Sequence, residues 1–131
     1  MKILLIEDDG DINFIYKRQL DLSEMPTDAF FTGKEALDAL GTNSYDIALV
    51  DIMLPDTNGI DIVKQMKQNT NLAKMTIIIL SNMGEESIVD QAKKVGADGY
   101  LIKSSMNPGQ LIEEILKIYK TKQDPQSSPE S

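Results

Sequence analysis

Three short, unbroken apolar runs constrain this chain more than any other feature: ILLI at 3–6, IALV at 47–50 and IIIL at 77–80. A strand with one wet face alternates apolar and polar residues. A strand that is apolar throughout must be covered on both faces, as in a parallel sheet between two helical layers. Residues 27–31 and 99–102 read as two weaker strands. Between the runs lie amphipathic segments at 11–22, 34–40, 59–68, 86–95 and 108–120. Two helix starts are written out. Thr32 with Glu35 makes a capping box, and Asn107-Pro108 with Gln110 supplies an N-cap, a proline at N1 and a partner at N3. Gly96 suits a left-handed position closing the helix that ends at Val95. Five strands alternating with five helices predict an α/β fold, a doubly wound parallel sheet with right-handed crossovers.

Composition narrows the chemistry. The 131 residues fit one domain. With 13 Lys+Arg against 21 Asp+Glu the net charge is −8, which argues against nucleic acid or an anionic membrane as a direct partner. There is no cysteine and no histidine, so disulfides, thiolate zinc sites and Ser–His or Cys nucleophiles are excluded. The apolar stretch at 3–6 is shorter than the ~7–15 residues of a signal-peptide core, which makes a cytoplasmic location the expectation. Residues 121–131 (TKQDPQSSPES) hold no large apolar side chain and read as a disordered C-terminal tail to a domain at 1–120.

In an open α/β sheet, ligands bind beyond the carboxyl ends of the strands, where the strand order reverses. The first strand exits into Glu7, Asp8 and Asp9, the third into Asp51, the fourth into Ser81 and Asn82, and the fifth into Lys103. With strand order 2-1-3-4-5, Glu7, Asp8 and Asp51 converge. Converging carboxylates repel unless a cation neutralises them, and Mg²⁺ suits an all-oxygen site, with Mn²⁺ as a substitute. Solvated acids at loop mouths are common singly; acid, acid, hydroxyl and amine at one rim are a far rarer coincidence. Such a set can manage phosphoryl transfer. An aspartate is ionised at neutral pH and can attack phosphorus without a base, while cation, ammonium and hydroxyl each take one transferring oxygen.

The pattern Glu7-Asp8, Asp51-Ile-Met-Leu-Pro55-Asp-Thr-Asn-Gly59, Ser81 and Gly99-Tyr100-Leu-Ile-Lys103 resembles the receiver domain of bacterial two-component response regulators, of the single-domain chemotaxis and sporulation type. The resemblance covers residues 1 to about 120. It implies a flavodoxin-like (βα)5 fold and Asp51 as acceptor of a phosphoryl group from a sensor histidine kinase or a histidine phosphotransfer protein. It further implies Asp8 as a direct Mg²⁺ ligand, Glu7 acting partly through water, and the Met53 carbonyl as a backbone ligand. Ser81 and Tyr100 would be the switch residues, and Lys103 would pair with the phosphoryl group. A protein target downstream is implied as well.

Three features depart from the family pattern. Asn82 stands where a small residue is usual. Ser104 follows Lys103 where a cis proline is usual; a non-proline cis bond costs ~2.5–4 kcal/mol, so trans is expected. Met53 and Met83, flanking the route of the hydrolytic water, offer it neither base nor strong acceptor, which predicts a long-lived phosphoryl group. Alternatives are a phosphorylation-independent adaptor of the same fold, the receiver half of a longer effector, and a carboxylate-based phosphatase. The last is disfavoured because Met53 stands where a second Asp would be needed. In the last helix Leu111, Ile115 and Ile118, with Ile112, Leu116 and Tyr119, form an arc wider than core burial requires. Either that helix is deeply packed, or part of the arc meets a partner or a second copy across the fourth-helix, fifth-strand, fifth-helix face.

Overall fold

The computed structural model describes residues 1–123. Five strands, β1 (Ile3–Ile6), β2 (Thr27–Phe30), β3 (Ile47–Asp51), β4 (Thr76–Ser81) and β5 (Gly99–Ile102), alternate with five helices. These are α1 (Gly10–Leu22), α2 (Gly33–Leu40), α3 (Gly59–Gln68), α4 (Glu86–Lys94) and α5 (Pro108–Gln123). Every strand pair is parallel and the order is β2-β1-β3-β4-β5, the doubly wound, flavodoxin-like arrangement expected.

The three apolar runs are buried at every position because their alternate side chains feed two separate cores. Leu4, Ile6, Val50, Ile77 and Ile79 pack with Ala36, Ile62, Val63, Met66 and Ala92 of α2, α3 and α4. Ile3, Leu5, Leu49, Ile78 and Leu80 pack with Leu20 of α1 and Leu111, Ile112 and Ile115 of α5. Each such side chain contributes roughly 1.5–3 kcal/mol of burial, so the central strands anchor both layers. The wide arc of α5 goes mainly to this second core: Leu111, Ile112 and Ile115 are buried, with Leu116, Ile118 and Tyr119 half-buried against it.

Element limits depart from the sequence reading in informative ways. β3 and β4 each extend one residue further toward the rim, since Asp51 pairs with Leu80 and Ser81 with Ile102. Those two functional candidates therefore ride on the last rungs of the sheet, not on loops. α5 passes the expected end at residue 120: the Thr121 hydroxyl donates to the Lys117 carbonyl at 2.9 Å, and Lys122 donates to the Met75 carbonyl at 2.7 Å and pairs with Asp98 at 3.0 Å. Of the tail expected at 121–131, residues 121–123 belong to α5, and residues 124–131 lie outside the described ones. Two short 3-10 turns, Thr70–Leu72 and Lys103–Ser105, were not foreseen.

Both caps form, although the Glu35 carboxylate accepts from the Thr32 hydroxyl at 3.0 Å and not from the Thr32 amide, so the box there is half made. Asn107 and Gln110 exchange both bonds of a capping box, at 2.8 and 3.0 Å, while Thr32 accepts from the Glu35 amide at 3.2 Å. Gly96, at φ +100°, closes α4 in a Schellman turn: its N–H reaches the Lys93 carbonyl, and that of Ala97 reaches Ala92, both at 3.0 Å.

The turn from β3 to α3 has little tolerance. The Gly59 amide donates to the Ile52 carbonyl at 2.7 Å, and a Cβ on Gly59 would collide with the Asp51 carbonyl oxygen. Only glycine lets α3 begin that close to Asp51. Gly59→Ala is expected to lower stability by about 2–4 kcal/mol in urea unfolding, since the obstructing atoms are backbone and cannot rotate away.

Candidate functional site

The parallel register brings the carboxyl ends of β1, β3, β4 and β5 to one edge. There Glu7, Asp8, Asp51, Ser81 and Lys103 line a single open cleft of about 300 Å³, also bordered by Met53, Asn82 and Met83. The spatial convergence expected from strand exits is therefore present in full. One carboxylate oxygen from each of Glu7, Asp8 and Asp51 lies within 4.8 Å of the others. Glu7 and Asp51 are buried, at 1% and 6% exposure, whereas Asp8 is exposed. The Lys103 ammonium reaches in from the turn after β5, 2.7 Å from Glu7 Oε1 and 3.2 Å from Asp51 Oδ2.

Three carboxylates against one ammonium leave the cluster negative, and Glu7 registers it. Burial is the main cause of its raised pKa; the Lys103 hydrogen bond opposes the rise, and the neighbouring Asp51 charge adds to it. For Lys103 burial pulls the ammonium down, but Glu7 and Asp51 together outweigh that and leave its pKa raised. An all-oxygen, over-negative, partly open cluster fits a small hard divalent cation, which would relieve the charge that Lys103 alone leaves uncompensated.

Local hydrogen bonds explain how Glu7 and Asp8 are aimed. Asp9, the third acid of the run, is taken up as the N-cap of α1, accepting from the Asp11 and Ile12 amides at 3.0 and 3.1 Å. The Asp9 amide in turn donates to Glu7 Oε2 at 3.2 Å. Sequence reasoning missed Asn13, whose buried amide donates to the Glu7 carbonyl at 2.9 Å and the Phe30 carbonyl at 3.2 Å, tying the β1–α1 turn to β2. A polar residue on the core side of α1 was the signal available for it.

On the opposite side of the cleft, the Ser81 hydroxyl accepts from the Met83 amide at 3.0 Å, and the Tyr100 hydroxyl donates to the Met83 carbonyl. Both candidate switch residues thus hold the same loop. Burial raises the Tyr100 pKa. Met53 forms a one-residue antiparallel bridge with Asn58 and is 67% exposed at the rim. Among the described residues no peptide is cis, so Lys103-Ser104 is trans as favoured. The Ser104 amide donates to Asn82 Oδ1 at 2.8 Å, which joins two of the three departures from the family pattern in one bond. The trans loop does not shorten the reach of Lys103.

The structure thus defines a small, doubly wound α/β domain with an acid, hydroxyl and amine cluster at its topological switch point. A family model described as the response regulator receiver domain matches residues 3–116, and the chain belongs to that family, the receiver domains of two-component systems. It is 31% identical over 102 residues to the response regulator ArlR of Staphylococcus saprophyticus, covering 78% of this chain and 45% of that protein. It is 34% identical over 117 residues to the transcriptional regulatory protein CpxR of Klebsiella pneumoniae, covering 89% of this chain and 48% of CpxR. Among solved structures, the Francisella response regulator 1452 receiver domain superposes with a TM-score of 0.81 at 32% identity, over 91% of this chain and 96% of that one. The chain spans about half the length of the curated relatives it matches. Among the described residues no helix is long and apolar enough to cross a membrane.

The frustration of the acidic cluster is measurable. Without divalent ions, Glu7→Gln is expected to raise stability at neutral pH by about 1 kcal/mol, because it removes a buried charge from an over-negative cluster. In saturating magnesium that advantage is expected to shrink or reverse, as a ligand is lost. The folded protein holds the Glu7 proton above the ordinary value of 4.5, so this part of the wild-type stability is present at low pH and lost as pH rises through the raised value. Thermal melts across that window, with and without chelator, check both statements; a metal-free Glu7→Gln variant with unchanged pH slope would contradict them.

Proposed function

We propose that the domain, residues 1–120 with the last turn of α5, is a phosphoacceptor that takes a phosphoryl group onto Asp51 from a histidine of a sensor kinase or a histidine phosphotransfer protein. The observation that carries the reading is the cluster itself: three carboxylates within 4.8 Å, two of them held by one ammonium from the turn after β5. An Asp51 oxygen attacks phosphorus; the bond from phosphorus to the donor nitrogen breaks, and its electron pair leaves with the imidazole. Glu7, Asp8 and Asp51, with the Met53 carbonyl, would hold Mg²⁺ or Mn²⁺, which supplies neutralisation of the phosphoryl oxygens. Lys103, already 3.2 Å from Asp51, pairs with one phosphoryl oxygen. Ser81 turns its hydroxyl to another and releases the Met83 amide, and Tyr100 follows as the loop it holds moves.

The domain is on this reading no metabolic enzyme: it assists its own modification and hydrolyses it slowly. Its output is altered affinity for a downstream protein, or for a second copy across the α4–β5–α5 face, in the cytoplasm. The relatives favour one addition. ArlR and CpxR are about twice as long as the matched segment, so the domain also suits the regulatory part of a longer effector. DNA contact would then fall to other residues, since this chain carries a net charge of −8.

Incubation with acetyl phosphate and magnesium is expected to give stable, stoichiometric labelling of wild type and none of Asp51→Asn or of chelated samples. No labelling of wild type would leave the adaptor reading, and continuous turnover the phosphatase reading. A Met53→Asn, Met83→Glu double variant, which places polar groups along the hydrolytic route, is expected to shorten the phosphoryl half-life about tenfold or more. Equal half-lives would remove the methionines from the explanation.

A further inference from the structure

We propose that Asn82 is a positioning residue for Lys103, acting through the Ser104 backbone. The inference rests on the functional reading above and extends it to a residue outside the acidic cluster.

The β4–β5 ladder ends at the pair Ser81 and Ile102. Immediately afterwards the chain enters the 3-10 turn Lys103–Ser105. The opening amides of such a turn have no partner within it and need an acceptor from elsewhere. The residue at the cap position is Ile102, whose side chain has no acceptor, and it makes no capping bond. Asn82, one residue beyond Ser81 on the neighbouring strand, fills that role by accepting the Ser104 N–H at 2.8 Å. Apart from the Lys103 ammonium itself, the turn's remaining side-chain bond, from Ser105 Oγ to the Ile102 carbonyl at 2.9 Å, does not reach a neighbouring element. Asn82 is therefore the side chain that ties the backbone of the turn to the end of β4.

The consequence concerns reach. The Lys103 ammonium sits on a flexible four-carbon stem and must bridge anions delivered by two other strands, at 2.7 and 3.2 Å. Its placement depends on where its backbone is held, and the adjoining Ser104 amide is the anchored point. The same bond joins the loop that follows Ser81 and carries Met83 to the turn that carries Lys103. Hydroxyl and ammonium are thereby presented to the phosphoryl oxygens as one unit.

Two readouts of the whole chain test this, one independent of phosphorylation. The first is the rate at which a water-soluble acetylating ester modifies Lys103, mapped by mass spectrometry. The second is transfer from acetyl phosphate, separated into a maximal rate and a half-saturating concentration. An ordinary hydrogen bond shifts a population about three- to tenfold. Asn82→Ala is expected to speed Lys103 acetylation and lower the maximal transfer rate by that factor. Asn82→Asp, which keeps an acceptor of the same shape, is expected to preserve both, raising only the half-saturating concentration because its charge repels the donor. If Asn82 merely crowds the mouth, Asn82→Ala will transfer faster than wild type, and the inference falls. It falls equally if Asn82→Ala leaves Lys103 acetylation unchanged, or if Asn82→Asp behaves like Asn82→Ala in acetylation and maximal rate. Should wild type accept no phosphoryl group while Asn82→Ala still unmasks Lys103, the positioning role stands and the phosphoacceptor reading is the one that fails.

Discussion

An ammonium just past the last strand, held between carboxylates at the ends of the first and third, is the interaction around which this molecule is organised. Lys103 is separated from Glu7 by 96 residues and from Asp51 by 52, yet it lies 2.7 and 3.2 Å from them. No local rule produces that meeting. It follows from a parallel sheet in which every carboxyl end points to the same edge, and that arrangement follows from strands apolar enough to demand helices on both faces. The site is thus a by-product of burial.

Burial also sets the electrostatic character of the site. Glu7 and Asp51 lie almost wholly out of water beside the exposed Asp8, and a single lysine cannot neutralise three acids. The fold accepts this strain because its central strands are secured in two cores, one on each face. The raised pKa of Glu7 is the visible residue of that bargain, and an over-negative cluster of this kind is suited to a cation and to a phosphoryl group carrying its own charge. Rigidity is unevenly distributed around it. Asp51 stands on a strand rung with Gly59 pressed against its carbonyl, whereas the loop after Ser81 is held by individual hydrogen bonds from Ser81, Asn82 and Tyr100. A fixed acceptor beside a loop held by exchangeable bonds is the physical form of a switch.

Much of this was legible in the residues, and the reasons differ by feature. Strand and helix identities could be read because burial on two faces leaves unbroken apolar runs, and the Asn107–Gln110 box and Gly96 turn because capping uses few residue types at set spacings. The converging acids, hydroxyl and lysine could be located once each strand's exit was known. Asn13's role could not, beyond the hint of a polar residue on the core side of α1, because it bonds carbonyls at the ends of two different strands. Nor could the extension of α5 to Gln123, which rests on Lys122 reaching Met75 and Asp98 across the fold.

Composition and order along the chain determined the class of sheet, the absence of thiol and imidazole chemistry, and the list of groups that stand at the strand ends. Which of those groups touch was decided only by tertiary structure. Asp9 turned out to cap a helix and not to join the cluster, and Asn82 and Ser104, two separate oddities in the linear order, turned out to be partners. The reason is that local patterns report burial and backbone conformation, which neighbours in sequence share. A hydrogen bond between loops depends on distances that exist only after the whole sheet has closed.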